Sequence, residues 1–468
     1  MNRTVPLILA VALFMENMDS TVIATSLPAI AADIGTSPIA LKLALTAYLV
    51  SLAIFIPISA WMADRFGAKL VFRSAIGVFV VGSIGCASSG SLGEFVLARF
   101  LEGMGGAMMT PVARLVLVRA TAKRDLVSAM AWLTMPALIG PLVGPPVGGF
   151  ITTYFSWHWI FLINVPIGII GIWLAGRFLP DIKPTGARSL DVVGFLLSGV
   201  AASGVVFGLS VVSLPALPPV VGLVTLLLGL AAGLLYIRHA RRKPEPVLDL
   251  RLFRKPVFRL AVIGGSMFRV GSGATPFLLP LLFQLGFGMT PFESGMLTFA
   301  TALGALAMKF LAPVTLRTGG FRNVLVTASV LSGGFIAASA FFTPETPHGV
   351  IIAVLLGAGF LRSLFFTSTN ALVFAEIDEL DAGQATAISA ALQQISIAIG
   401  VAVAGGILDG MTFLTDEPIG LASFSIAFLC VGTITMMAVV PALLLPKDAG
   451  SSVSGHRLRG AAGEEPPP

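Results

Sequence analysis

The side chains of this sequence with chemistry to offer are ionisable groups set inside long apolar runs. Glu16 and Asp19 lie in the run 5–31, and Arg99 and Glu102 in the run 93–117. The members of each pair are three residues apart, so on a helix they share a face. Ionisable groups at such depth are costly, and they face a cavity or one another. A low dielectric favours the neutral carboxyl over the carboxylate, which suits such a group to taking up and releasing protons. A neighbouring arginine opposes this and decides which carboxyl stays ionised. Proton exchange is therefore expected at Asp19, Glu16 and Glu102, with Arg99 setting the balance. The competing reading is a static ion pair that only fixes helix packing.

A second group is basic. Arg269 and Arg362 stand inside the runs 259–283 and 348–373, neither of which holds an acid. They need a carboxylate from the first half of the chain, such as Glu16, Asp19 or Glu102, or else an anionic substrate. Together with Gln393 they are the candidate substrate-binding residues. Gly264, Gly265, Gly271, Gly273 and Pro276 surround Arg269 and weaken its helix, as expected where a site needs backbone freedom. Lys309 lies near the end of its run, where its stem can carry the ammonium to the headgroups.

Three further patterns concern movement and packing. The polar stretch Ala60–Lys69, with Asp64, Arg65, Gly67 and Lys69, separates the runs 41–62 and 71–89. So short a link needs a tight turn, and Gly67 can supply a positive φ. A degraded echo, Leu316–Arg322, recurs about 250 residues later between two more runs, which suggests two related halves. Gly140, Gly144 and Gly148 recur every four residues and line one helix face, open to close approach by another helix. Pro141, Pro145 and Gly149 accompany them, and the prolines permit a kink; a merely well-packed helix is the plainer reading. Trp157-His158-Trp159 opens a run at its boundary, where amphipathic rings act as interfacial anchors.

The elements that position these groups follow from composition. Of 468 residues, 56% are hydrophobic and 11% charged, against about 25% charged in a soluble domain. Such a chain has lipid as its main solvent. Fourteen apolar segments can be drawn: 5–31, 41–62, 71–89, 93–117, 128–152, 157–178, 190–210, 217–237, 259–283, 291–312, 324–343, 348–373, 384–408 and 420–445. With the N-terminus inside, all but five of the 29 Lys and Arg residues fall on the inner side, which fixes the orientation with both termini cytoplasmic. Of those five, Lys42 is in an outer loop or span end, and Arg99, Arg269, Lys309 and Arg362 lie within spans. A twelve-span count, with 190–210 and 217–237 as an interfacial insertion, preserves the same charge bias. The run 5–31 reads as an uncleaved first helix, since Glu16 and Asp19 interrupt it. The acidic inner loop Glu376–Asp381 holds no Lys or Arg and is expected to pair with basic inner loops.

The predicted fold is an all-α polytopic membrane protein. It has a six-helix bundle over 1–180, an inserted helix pair and loop over 181–258, a second six-helix bundle over 259–446, and a disordered tail over 447–468. The net charge of +6 sits in short loops, which argues against nucleic acid as a partner. Cys86 and Cys430 both lie in apolar runs, and the four histidines are scattered, so neither a disulfide scaffold nor a metal site is expected. No nucleophile–histidine pair is visible, so enzymatic chemistry is not expected.

These motifs resemble the major facilitator superfamily. Ala60–Lys69 looks like its loop 2–3 motif, with Ala60 where glycine is usual, and Leu97–Gly103 like its span 4 motif, with Glu102 where glutamine is common. Gly140–Gly149 looks like the span 5 antiporter motif. Met18–Pro28 and Trp157–Pro166 resemble motifs of its fourteen-span drug:proton antiporters, with His158 where arginine is frequent. The resemblance implies a monomeric exporter of the bacterial inner membrane, working by alternating access. It would be driven by a proton gradient with no bound cofactor, and it would carry amphipathic drugs. Arg269 and Arg362 favour instead small organic anions, such as citrate-like carboxylates, or their metal complexes. A non-transporting sensor or scaffold would need a sizeable soluble output domain, which the sequence lacks.

Overall fold

A computed structural model describes residues 4–121, 125–180, 189–214, 217–378 and 381–451. Its long helices are α1 (Thr4–Asp33), α2 (Lys42–Phe66), α3 (Ala68–Ala87), α4 (Leu92–Ala120), α5 (Leu126–Tyr154) and α6 (His158–Phe178). The inserted pair is α7 (Val192–Val211) and α8 (Pro219–Ala240). In the second half, α9 runs over Pro256–Ser272 and resumes over Thr275–Leu281. Pro291–Ala338 is one helical stretch interrupted at Gly320, with α10 before it and α11 after. It is followed by α12 (His348–Leu372), α13 (Ala382–Thr415) and α14 (Leu421–Leu443). Thirteen helices among the described residues are long and apolar enough to cross a membrane. The broken α9 makes the fourteenth segment: Gly271, Gly273 and Pro276 interrupt it where the sequence leads one to expect a weak helix.

Local chemistry sets several of these boundaries. Ser91 caps α4 by accepting from the Glu94 N–H at 3.3 Å. Thr290 and Glu293 form a reciprocal capping box ahead of α10, with Pro291 at the first helical position. The two short links between paired helices each turn on a single glycine. Gly67 has φ 91° and ψ 131°, and Gly320 has φ 69° and ψ 161°. Side chains almost never adopt this region, so the echo seen in the sequence is a repeated backbone geometry as well.

The glycine stripe of α5 lies against α1. A Cβ on Gly140 would stand 2.9 Å from the Met18 nitrogen, and Gly144 and Gly148 meet Thr21 and Val22. Gly149 faces Pro291 and Phe292 of α10 instead, so α5 is shared between the halves. The inserted pair packs Gly204 on Gly229 and lies against α2 and α13. At 20 and 22 residues, both helices have the length of a crossing segment.

The halves meet through α5–α10 and α2–α13. At the face holding the α1–α2 loop, residues of both halves build one apolar cluster, including Ile30, Trp157, Phe277 and Phe424. At the α2–α3 face each half has its own cluster, around Phe72 and Met109 in the first and around Phe258 and Phe321 in the second. Gln284 donates to the Thr25 carbonyl at 2.9 Å, and the Phe292 N–H to Thr153 Oγ1 at 3.1 Å, both at the α1–α2 face. The molecule is thus sealed at one face and divided at the other.

Two placements refine or correct the expectations. Lys42 stands at a span end, as the first residue of α2, but it is not open to solvent: it is fully buried, and its ammonium meets Asp409 Oδ2 at 2.5 Å and Ser213 Oγ at 2.8 Å. The run 384–408 stops one residue short of that partner, because α13 continues to Thr415 and carries Asp409 inside it. Trp157 is not an interfacial anchor either. It is buried among Phe95 and Phe161 and donates to Asp33 Oδ2 at 3.0 Å, leaving the exposed Trp159 at the boundary.

Candidate functional site

Four helices of the first half place a polar cluster inside the bundle. Arg99 on α4 is 1% exposed, and its Nη1 donates both to Asp19 Oδ2 of α1 at 2.8 Å and to Glu102 Oε2 at 2.5 Å. The i, i+3 spacing of Arg99 and Glu102 is what lets one guanidinium nitrogen serve a neighbour on its own helix and one across the bundle. Asn164 of α6 donates to Asp19 Oδ1 at 2.9 Å and to Ser83 Oγ of α3 at 3.2 Å. Ser83 in turn donates to Glu102 Oε1 at 2.5 Å. The Arg99 guanidinium also lies 4.3 Å over the ring of Tyr48 on α2. Asp19, Arg99 and Glu102 thus form one network with Ser83 and Asn164 as neutral braces.

Glu16 stands apart from that network. Its Oε2 accepts from Thr110 Oγ1 of α4 at 2.8 Å, one turn of α1 away from Asp19. The cluster holds two carboxyls and one guanidinium, so it is neutral with one proton bound and carries one negative charge without it. Such a group of fixed partners with one exchangeable charge can couple protonation to helix position.

In the second half, Arg269 on α9 is 5% exposed, and among the described residues no carboxylate pairs with it. Its Nη2 donates to Asn370 Oδ1 of α12 at 3.2 Å, and its guanidinium carbon lies 4.7 Å over Phe366. Gln393 of α13 donates to the same Asn370 oxygen at 3.4 Å. Arg269, Gln393, Ser266, Thr369 and Ser389 line one narrow pocket. Pairing of Arg269 with Glu16, Asp19 or Glu102 is not what the structure shows, because Arg99 engages Asp19 and Glu102, and Thr110 engages Glu16. Arg362 is half-buried on α12 and does not line the pocket.

At the α2–α3 face, Asp64 Oδ1 accepts from Arg119 Nη2 of α4 at 2.7 Å, within the first half. Arg65 is exposed and Lys69 half-buried beside it. Across this divided face, Gln384 at the start of α13 accepts from the Asp249 N–H at 3.0 Å. Lys255 meets Asp378 at 2.9 Å, so the acidic loop does meet a basic one.

Sequence reasoning missed Asn164, Ser83, Tyr48 and Thr110 around the acids, and Asn370, Thr369 and Ser389 around Arg269. Uncharged polar residues in apolar runs are too common to single out, and only their convergence marks them. A carboxylate such as Asp409, one residue beyond an apolar run, was a readable signal.

Comparison with known proteins agrees with this architecture. The family model described as Major Facilitator Superfamily matches residues 9–401. A transport protein named HsrA, from Haemophilus influenzae, is 37% identical over 400 residues, covering 86% of each chain. MdtD from Salmonella typhimurium, named for multidrug resistance, is 34% identical over 455 residues, covering 94% of each. The crystal structure of a D-xylose–proton symporter superposes with TM-score 0.69 at 15% identity, over 96% of this chain and 98% of that one. The nucleoside transporter NupG gives TM-score 0.66 at 14% identity, over 95% and 99%. With its paired six-helix halves, its fourteen apolar segments and relatives along nearly its whole length, the chain is a multi-pass membrane transporter and belongs to the Major Facilitator Superfamily.

Proposed function

We propose that this transporter exports small amphipathic molecules across a bacterial inner membrane in exchange for protons, by alternating access, with both termini cytoplasmic. The observation that carries the reading is the buried Asp19–Arg99–Glu102 network, with one more acid than base. Its members come from α1 and α4, and its braces from α3 and α6, so gaining or losing a proton changes the forces among four helices at once. Glu16, one turn away on α1, is a further proton-exchange site, held by Thr110. A relative named for multidrug resistance supports drug-like cargo.

The division of the core supports alternation between two access states. Fusion of the halves at the α1–α2 face and their separation at the α2–α3 face describe one state, open toward the face where the basic loops lie. With those loops cytoplasmic, this state takes cargo from the cell interior. In the opposite state the α2–α3 face would close, with Asp64 braced by the N-terminal end of α13 near Gln384. A ligand shifts such an equilibrium only by its differential affinity for the two states, so proton and cargo must each prefer a different one.

The test is efflux from proteoliposomes under an imposed pH gradient, with a panel of dyes and drugs. Wild type should drive efflux with the gradient and lose it when the gradient is collapsed. Asp19→Asn should insert and fold, yet fail to respond to the gradient. Gradient-driven efflux at the wild-type rate in that variant would remove Asp19 from the coupling.

A further inference from the structure

We infer that the pocket at Arg269 binds a carboxylate, so that the cargo is an amphipathic molecule bearing an acid group. The inference rests on the exporter reading for the fate of the bound molecule, but not for its binding.

Charge in the second half is unbalanced. Among residues 256–443 the acids inside the long helices are Glu293 and Asp409. Glu293 is spent on the cap of α10, and Asp409 is held by Lys42 at the α1–α2 face. Arg269, by contrast, is nearly buried with an amide oxygen and a ring as its neighbours, and neither carries a countercharge. Arg362 lies seven residues before Thr369, hence on the same face of α12. It is half-buried, and none of the hydrogen bonds or ion pairs among the described residues involves it. A charge at the centre of a membrane helix is costly, and such groups mark substrate paths.

The pocket walls are built for an oxyanion. Thr369 is 2% exposed, yet its hydroxyl has no partner, and the Ser389 hydroxyl is likewise buried and unpaired. Both line the pocket with Arg269. Leaving a buried hydroxyl unpaired is costly, and the cost is relieved when a carboxylate oxygen accepts from it. Guanidinium and hydroxyl groups are all donors toward such a ligand, and a guanidinium binds a carboxylate through two parallel bonds. The backbone is cut to fit: a Cβ on Gly265 would lie 2.7 Å from Arg269 Nη1. Val262, Val373 and Leu392 are apolar members of the same lining, and the pocket of about 10 Å³ must widen to admit the body of an amphipathic molecule beside them.

The experiment is calorimetric titration of the purified full chain with benzoate, with benzylammonium as the matched cation, and with inorganic phosphate as a second oxyanion. Benzoate should bind saturably and benzylammonium should not; phosphate binding as tightly as benzoate would overturn the carboxylate assignment. Arg269→Lys keeps the charge but loses the fork, and should weaken benzoate at least tenfold. A Thr369→Val, Ser389→Ala double variant leaves the arginine in place and should weaken benzoate severalfold, so a poorly folding Arg269→Lys leaves the inference testable. Absence of benzoate binding, or benzoate binding indifferent to both variants, overturns it. The exporter reading fails separately: benzoate binding that persists without gradient-driven efflux removes proton coupling and leaves the anion site standing.

Discussion

Lys42 and Asp409 form a buried ion pair between the two halves, 2.5 Å apart at the sealed face, with Ser213 of the inserted pair donating to and accepting from the same two groups. The contact joins the first bundle, the second bundle and the insertion at one point, so opening of that face must break it. Removing one partner of a buried pair costs about 3–5 kcal/mol, because the other charge is left uncompensated. Lys42→Met should therefore lower the melting temperature markedly, and Lys42→Met with Asp409→Leu should regain most of the loss. Spin-label distances across the α1–α2 loop should lengthen in the single variant and return in the double one. Unchanged distances and stability in Lys42→Met would show that the pair does not hold the face shut.

The single-glycine links give a second prediction. Gly67 and Gly320 both have positive φ in a region closed to side chains. Gly67→Ala and Gly320→Ala should each cost about 1–3 kcal/mol, read as a lower melting temperature in detergent. An alanine at Gly93, which has no neighbour within 4 Å of its Cβ, is the control and should cost less.

A pH effect is expected at the foot of the inserted pair, outside the spans. Burial works against ionisation of Asp191, but the Gly194 N–H at 3.0 Å and the His239 ring at 2.8 Å outweigh it and hold its carboxyl below the usual 3.8. A carboxyl lowered in the folded state adds stability that is present above the unfolded value and lost as pH falls through the folded one. Asp191→Asn should thus be less stable than wild type at pH 5 to 7, with the gap closing in acid below about pH 4. Thermal melts across that range would show it; a constant gap at every pH would contradict the assignment.

Orientation is the fourth. The short loops on the side of Asp64, Arg65 and Lys69 carry nearly all the basic residues, so that side should be cytoplasmic. A reporter active only in the periplasm, fused after Lys447, should stay silent. Strong activity would invert the molecule and reassign its open face to the outside.

The approximate number and placement of the apolar segments, the tight turn at Gly67 and the close-packing stripe at Gly140, Gly144 and Gly148 were legible in the sequence, though not every limit: the run 384–408 belongs to a helix that continues to Thr415. Each depends on residues near one another along the chain: hydropathy adds up within a run, and spacing fixes which residues share a helix face. The weakness of α9 around Arg269 was legible in Gly264, Gly265, Gly271, Gly273 and Pro276, and the structure turns it into a break between Ser272 and Thr275. Partner choice was not legible. Glu16, Asp19 and Glu102 were all open to Arg99 and to Arg269 alike, and nothing near Lys42 along the chain named its partner. Which charges meet depends on how helices far apart in sequence rotate and approach, and a shift of one residue turns a side chain by about 100°. The tertiary structure alone gave Asp19 and Glu102 to Arg99, gave Asp409 to Lys42, and left Arg269 with no acid beside it among the described residues.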